Sequence, residues 1–251
     1  MEILVGIIIF LLGLCGGSFV NMLTYRTAVR YELTRNKKQE TNKNRSYCDY
    51  CRKQLSWRDN IPVISWLILR GKSRCCHQKL SRLYPIVELI TGVLFLINGT
   101  NWLGMVVIVF LMFSAVFDYK YMILPDFSSY ILIGLAIVNL LINNNRGALV
   151  AGIGSVLFIW ILTKIKIKGK QAMGEGDIPL AGFMGLWLGW PEIIIAFYIA
   201  FIIGAVVGII IISLKKRRSD EAIPFGPFLI LGTIIAYFYG EKILYYFSRW
   251  L

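Results

Sequence analysis

Four acidic residues lie inside or beside long apolar runs: Glu88, Asp118, Asp126 and Asp177. An ionisable group next to lipid is expensive and calls for a reason. Asp118 closes one apolar run, in SAVFDYKYMILPD, and Asp177 opens another, in MGEGDIPLAG. Two carboxylates brought within a few ångströms cannot both ionise cheaply, so the pair shares a proton. One of them then takes a proton from water while the other donates to a scissile carbonyl, which is what amide hydrolysis by paired aspartates needs. Gly174 and Gly176 leave room for a backbone or an extended substrate beside Asp177. Helix capping is the competing explanation. It suits Asp177 at a helix start, but it explains Asp118 poorly, because a helix C-terminus disfavours an anion. Asp126 follows Pro125 at the start of another apolar run and reads as an N-cap. Glu88, about one turn into its run, is either a hydrogen-bonded structural group or a contributor to a substrate or cofactor site.

A second cluster is built from sulfur. Cys48-Asp-Tyr-Cys51 is followed by Cys75-Cys76-His77. A CxxC pair with a further thiol group about two dozen residues on points to a structural zinc knuckle. Cys48, Cys51 and Cys76 supply three ligands, with Cys75 or His77 as the fourth. Free or redox-active thiols are the alternative. Cys15, in LGLCGG, reads as a buried thiol in a helix, since Leu14 stands where a lipoprotein cleavage site needs a small residue.

The elements that must position these groups are membrane helices. The chain has 251 residues and is 57% hydrophobic, above the roughly half that is usual for soluble domains. Eight apolar spans are expected, at roughly 3–24, 84–98, 102–117, 128–144, 148–165, 177–190, 192–214 and 224–247. The spans at 84–98 and 177–190 are short, as in tilted or cavity-lining helices. The fold class is therefore all-α: a polytopic membrane bundle of about eight helices, with a basic, Cys-containing cytosolic loop domain after the first. The expected division is 1–83, the first helix plus the Cys domain, and 84–251, the membrane domain that carries the two aspartates.

The net charge of +13 is distributed as a topology signal. Of 27 Lys and Arg, 15 fall between Arg26 and Arg82, against four acids, Glu32, Glu40, Asp49 and Asp59. Threading the spans from an outside N-terminus places 24 of the 27 on one side, the loops at Lys164–Lys170 and Lys215–Arg218 included. Positive charge is retained on the cytoplasmic side, so both termini are expected outside. Asp118 and Asp177 then sit at cytosolic helix ends at similar depth, where a peptide bond can be unwound and wet. The basic loop suits anionic membrane lipid; no stacking or groove-reading module for nucleic acid is visible, so none is expected as a partner. The first run lacks the positive n-region of a secretory signal and reads as a retained helix.

Five motifs in order resemble the bacterial type IV prepilin leader peptidases: GGSFVNMLTYR (Gly16 to Arg26), CDYC with NIPVISWLILRGKSRCC, LYPIVELITG, then DYKYMILPD with GEGD, and IPFGPFLILG (Ile223 to Gly232). The resemblance runs nearly end to end. It implies an eight-helix bundle at the bacterial inner membrane and places the catalytic role on Asp118 and Asp177. It also implies type IV prepilin and pseudopilin precursors as substrates, cut before their apolar helix, and N-methylation of the new terminus with S-adenosylmethionine by the cytosolic domain. The chain departs from the family pattern at one place. A second CxxC would put cysteines at 73 and 76; here Ser73 stands at the first, and a thiol appears at Cys75. A zinc site is then rearranged or absent, and methylation is in question with it. Two other readings compete: a transporter or channel with cation-binding acids at its edge, which predicts broken helices and midplane acids, and a non-catalytic scaffold using the Cys loop.

Overall fold

The computed structural model describes residues 2–33, 47–48, 50–51, 53–167, 170–171, 173–214 and 223–250. Lys168, the cluster Lys215 to Arg218, Glu40, Asp49 and the basic positions between 34 and 46 lie outside the described residues. Among the described residues the regular structure is helical, apart from one hairpin of two-residue strands, β1 (Lys166–Ile167) and β2 (Lys170–Gln171). The helices are α1 (Glu2–Arg30), α2 (Ile64–Ile68), α3 (Leu83–Asn98), α4 (Trp102–Tyr121), α5 (Asp126–Asn143), α6 (Arg146–Lys164), α7 (Asp177–Leu188), α8 (Glu192–Ser213) and α9 (Gly226–Trp250). A 3-10 turn (Trp57–Asn60) precedes α2. Six helices, α1, α4, α5, α6, α8 and α9, are long and apolar enough to cross a bilayer; α3 and α7 are shorter apolar helices. The expected eight apolar segments are therefore present, two of them short, and the protein is an all-α, multi-pass membrane bundle.

The chain forms two compact units, Met1–Phe113 and Ser114–Leu251. In the first, α1 lies against α3 at near-backbone distance. A Cβ on Gly17 would stand 2.5 Å from Glu88 Cα, and one on Gly13 would stand 2.7 Å from Gly92 Cα. Small residues permit this approach, which is how helices associate where lipid removes the hydrophobic drive. Because α3 packs on α1, it falls in the first unit. Cys15 faces away from this seam and is exposed, so the expectation of a buried thiol is corrected: Gly13, Leu14 and Gly17 take the inward face.

In the second unit α7 is the centre. Leu180, Ala181, Phe183 and Met184 are fully buried, with α5 and α6 on one side and α8 and α9 touching it as well. A helix surrounded this way has no polar face to display, which accounts for its uniformly apolar sequence. The Ser155 hydroxyl of α6 donates to the Ala181 carbonyl at 2.7 Å. That contact helps fix the axial position of α7, and with it the height of Asp177 at its first turn.

Candidate functional site

Asp118 sits in the last turn of α4, and its carboxylate is buried. Its Oδ2 accepts the N–H of Gly226 at 3.0 Å. Gly226 is the first residue of α9, so this N–H is one of the donors that a helix start leaves without an intrahelical partner. The carboxylate thereby rests at the positive end of the α9 dipole, 108 residues away in sequence. Asp177 is buried at the first turn of α7, and its Oδ2 accepts the N–H of Gly174 at 3.2 Å. Gly176 takes the cap position without a side-chain bond. The Asp177 carboxylate therefore folds back onto its own Gly-x-Gly loop.

The two loops converge on Leu124. A Cβ on Gly176 would stand 3.2 Å from Leu124 Cβ, and one on Gly226 would stand 3.4 Å from Leu124 Cδ1. Leu124 belongs to the turn after α4, where Met122 adopts φ +56° and its N–H returns to the Asp118 carbonyl at 2.8 Å. Three glycine-bearing or reversing segments are thus gathered around one buried leucine, with a carboxylate on each side. Asp177 lies in the electrostatic field of Asp118. Such a pair can hold one proton between two oxygens and hand it over within the site.

Asp126 does not take the capping role expected of it. Pro125 occupies the cap position of α5 without a side-chain bond, and Asp126 is the first helical residue and exposed. The Pro125 carbonyl is engaged instead by Ser128, through both its backbone N–H and its hydroxyl.

Glu88 belongs to the first unit. Its buried carboxylate accepts the Val63 N–H at 2.7 Å, with the side chains of Ser18 and Asn21 beside it. The Asn21 amide donates to the Tyr84 carbonyl at 3.1 Å.

The thiols come together from two turns, each closed by an isolated antiparallel bridge: Tyr47 with Gln54, and Lys72 with Lys79. The Tyr50 hydroxyl, donating to the Lys79 carbonyl at 3.0 Å, ties the turns to each other. The sulfurs of Cys48, Cys51, Cys75 and Cys76 all lie within 4.8 Å of one another. Adjacent Cys75 and Cys76 both reach the group because Ser73 bends the chain around itself: its hydroxyl stands 3.4, 3.1 and 3.3 Å from the sulfurs of Cys48, Cys75 and Cys76. Ser73 is therefore a buried hydrogen-bond partner of the sulfurs. His77 is not in the group. It carries φ +55°, gives its N–H to the Ser73 carbonyl at 2.9 Å and is exposed; of the two alternatives for the fourth position, Cys75 is the one that stands among the sulfurs.

The thiols differ in ease of ionisation. Burial works to raise the Cys48 thiol, but bonds from the Cys51 and Tyr50 backbone and from the Ser73 hydroxyl outweigh it and bring it down to about 6. The Cys51 thiol, which donates to Cys75 at 3.0 Å, is pushed up to about 12. Four sulfurs within reach of one another are the donor set of a tetrahedral, thiolate-preferring structural site, so the residues fit zinc.

Gly226, Leu124 and Ser73 were not singled out by sequence reasoning for the parts they play here. Gly226 acts through its backbone, Leu124 by its bulk, and Ser73 was visible only as a missing cysteine.

A profile described as the type IV leader peptidase family matches residues 105–209, and one described as the bacterial peptidase A24 N-terminal domain matches residues 11–102. Three similar proteins are all named prepilin leader peptidase/N-methyltransferase. That of Pectobacterium carotovorum subsp. carotovorum is 34% identical, over 89% of this chain and 89% of its own. That of Xanthomonas campestris pv. campestris is 35% identical, over 76% and 71%. That of Aeromonas hydrophila is 30% identical, over 97% and 92%. No solved structure matches. These matches do not favour the transporter reading.

Proposed function

Because the chain belongs to the type IV leader peptidase family, we propose that it removes the leader of type IV prepilins and pseudopilins, with Asp118 and Asp177 as the catalytic pair. The observation that carries this reading is the meeting at Leu124 of Gly176, the neighbour of Asp177, and Gly226, the N–H partner of Asp118, with both aspartates buried and each accepting one glycine N–H. In the reaction, a water between the carboxylates gives a proton to one of them. Its oxygen bonds to the scissile carbonyl carbon. The other carboxyl polarises the carbonyl oxygen, and a proton passes to the amide nitrogen as the C–N bond breaks. The glycine N–H groups hold one oxygen of each carboxylate in place, leaving the other free for the water. Gly174 and Gly176 keep the approach to Asp177 low, which suits an extended substrate.

The cytosolic placement of this site, with both termini on the opposite face, follows from the positive-charge asymmetry. The protein then acts at the bacterial inner membrane. Functionally, residues 1–83 form the Cys-containing domain and 84–251 the peptidase. Zinc in the Cys48, Cys51, Cys75 and Cys76 set would hold the two turns together, a structural role that supplies no chemistry to cleavage. Methyl transfer to the new α-amine, with S-adenosylmethionine as donor, is assigned to the first domain from the relatives' names. Among the described residues of that unit no glycine-rich strand-to-helix turn cradles a nucleotide, so no residue is assigned to the donor.

Cleavage of a pilin-like precursor by Asp118→Asn and Asp177→Asn tests the pair. Asn keeps the shape and the glycine contact but cannot carry the shared proton. Each variant is expected in the membrane at wild-type level with no leader removal; full processing by either one overturns the mechanism. Mass spectrometry of the mature N-terminus, looking for the increment of one methyl group, tests the second activity.

A further inference from the structure

We propose that α2 is an interfacial helix, its apolar face seated in the phospholipid headgroup layer and anchored there by Glu88. Ile64, Leu67 and Ile68 are 52%, 60% and 71% exposed. Their i, i+3, i+4 spacing puts them on one face. Trp57, in the turn on which α2 packs, is 73% exposed, with the Arg58 guanidinium 5.5 Å from its ring centre. The opposite face of α2 belongs to the Cys domain: the Ser65 hydroxyl donates to the Asp59 carbonyl at 2.8 Å, and Trp66 closes over Gly71, where a Cβ would stand 2.8 Å from its ring. The amphipathic sense is thus inverted. The polar side is turned inward and the large aliphatic side outward, so this face needs an apolar covering.

Position along α3 says what covers it. Val63 forms a three-residue turn with φ +59° and ψ −50°, closed by the Ile64 N–H on the Pro62 carbonyl at 2.5 Å. That positive-φ turn is rare and strained, more so at a β-branched residue. It is held by the Glu88 carboxylate on the Val63 N–H. Such strain persists only where the surroundings over-determine it. Glu88 is five residues beyond Leu83, about 7 Å along the helix axis. The start of α2 is therefore fixed at that height along α3; at the same height, on the face of α3 turned away from α1, Ile86, Leu89 and Ile90 are 47%, 43% and 45% exposed. Those residues form part of the lipid-facing belt of an apolar helix, so α2 starts at a level along α3 where lipid is met. A depth of about 5–10 Å is where amphipathic helices lie in the headgroup boundary. Arg58, Arg70 and Lys72 are exposed around the patch, as phosphate-facing groups of an interfacial segment are, and Trp57 has the amphipathic ring that favours this layer. The inference rests on the membrane reading alone and not on the peptidase activity. It gives Glu88 a positioning role and holds the Cys-containing turns against the bilayer surface.

Photo-crosslinking in the full chain tests it. p-Benzoylphenylalanine replaces Ile68, and in a separate protein Ile90, with reconstitution in nanodiscs of phosphatidylethanolamine and phosphatidylglycerol together with a pilin-like precursor. Intact-mass analysis after irradiation is expected to show one phospholipid attached at position 68, at a yield within about threefold of that at position 90, as for two groups in the same layer. A lipid adduct at 90 with none at 68 overturns the proposal. So does crosslinking of position 68 to a second copy or to the precursor. If the Ile68 variant fails to insert, the same probe at Leu67 makes the same measurement.

Discussion

Substituting Gly226 by alanine separates a carboxylate held by a backbone donor from one that is merely nearby. The added Cβ would stand 2.6 Å from Asp118 Oδ2, 3.2 Å from its Cγ and 3.4 Å from Leu124 Cδ1. No real methyl tolerates 2.6 Å, so the carboxylate must swing away and its 3.0 Å bond from the Gly226 N–H is lost. Gly226 does not occupy the positive-φ region, so alanine meets no backbone strain and the helix start survives. A hydrogen bond to a charged group is worth about 1.5–3 kcal/mol. If that bond positions the catalytic oxygen, its loss lowers kcat/KM roughly 10- to 150-fold. The control is Gly134→Ala in α5, where a Cβ meets nothing within 4 Å; exchanging Gly for Ala in such a helix interior is expected to stabilise by about 0.5–1 kcal/mol. Both variants are assayed for leader cleavage at matched membrane levels, with kcat and KM separated. The expected pattern is a loss confined to kcat for Gly226→Ala and wild-type rates for Gly134→Ala. Gly226→Ala at wild-type rate would show that the contact of α9 with Asp118 is incidental, and the argument that the bond aims the carboxylate would fall with it.

Metal analysis distinguishes the thiol ligands from their neighbour: Cys75→Ser is expected to lose bound zinc, because a serine hydroxyl is a poor ligand for a thiolate site, while His77→Ala retains it, and metal loss in the histidine variant would return His77 to the ligand set. Gly17→Val tests the α1–α3 seam. Its Cβ alone would stand 2.5 Å from Glu88 Cα, so the helices must part, at about 1–3 kcal/mol for overpacking. The readout is thermal stability in detergent, and an unchanged midpoint would refute the close-packed pairing.

What was legible in the sequence was what the physics of lipid makes conspicuous. Acids flanked by apolar runs stand out by type, so Asp118, Asp177 and Glu88 were visible, and so were the apolar segments themselves. Element ends were less so: α1 runs on to Arg30 and α4 to Tyr121, because a helix continues past the bilayer wherever the chain allows, and apolarity marks only the part in lipid. The helix α2 was not seen at all. Five residues are too few for a period to register, and its NIPVISW segment reads as loop until a Glu88 contact 25 residues away is known.

The misreadings share one cause. His77 could not be separated from Cys75 as a fourth ligand, and Asp126 was given a cap, because residue type and adjacency were all that sequence offers, whereas ligation and capping depend on where the backbone aims a side chain. The positive φ of His77 turns it out of the cluster that its neighbour Cys76 enters. Ser73 is the converse: as a missing cysteine it argued against a metal site, yet its hydroxyl lies within reach of three of the four sulfurs. A ligand shifted by two positions needs the intervening chain to fold over something small and polar. A cysteine at 73 would put a fifth sulfur where that hydroxyl now sits, competing with Cys75 for one corner of the tetrahedron. A thiol at 73 and a thiol at 75 are therefore alternatives in physical terms: Ser73→Cys is expected to hold metal beside Cys75→Ser, and to disturb the site where Cys75 is kept.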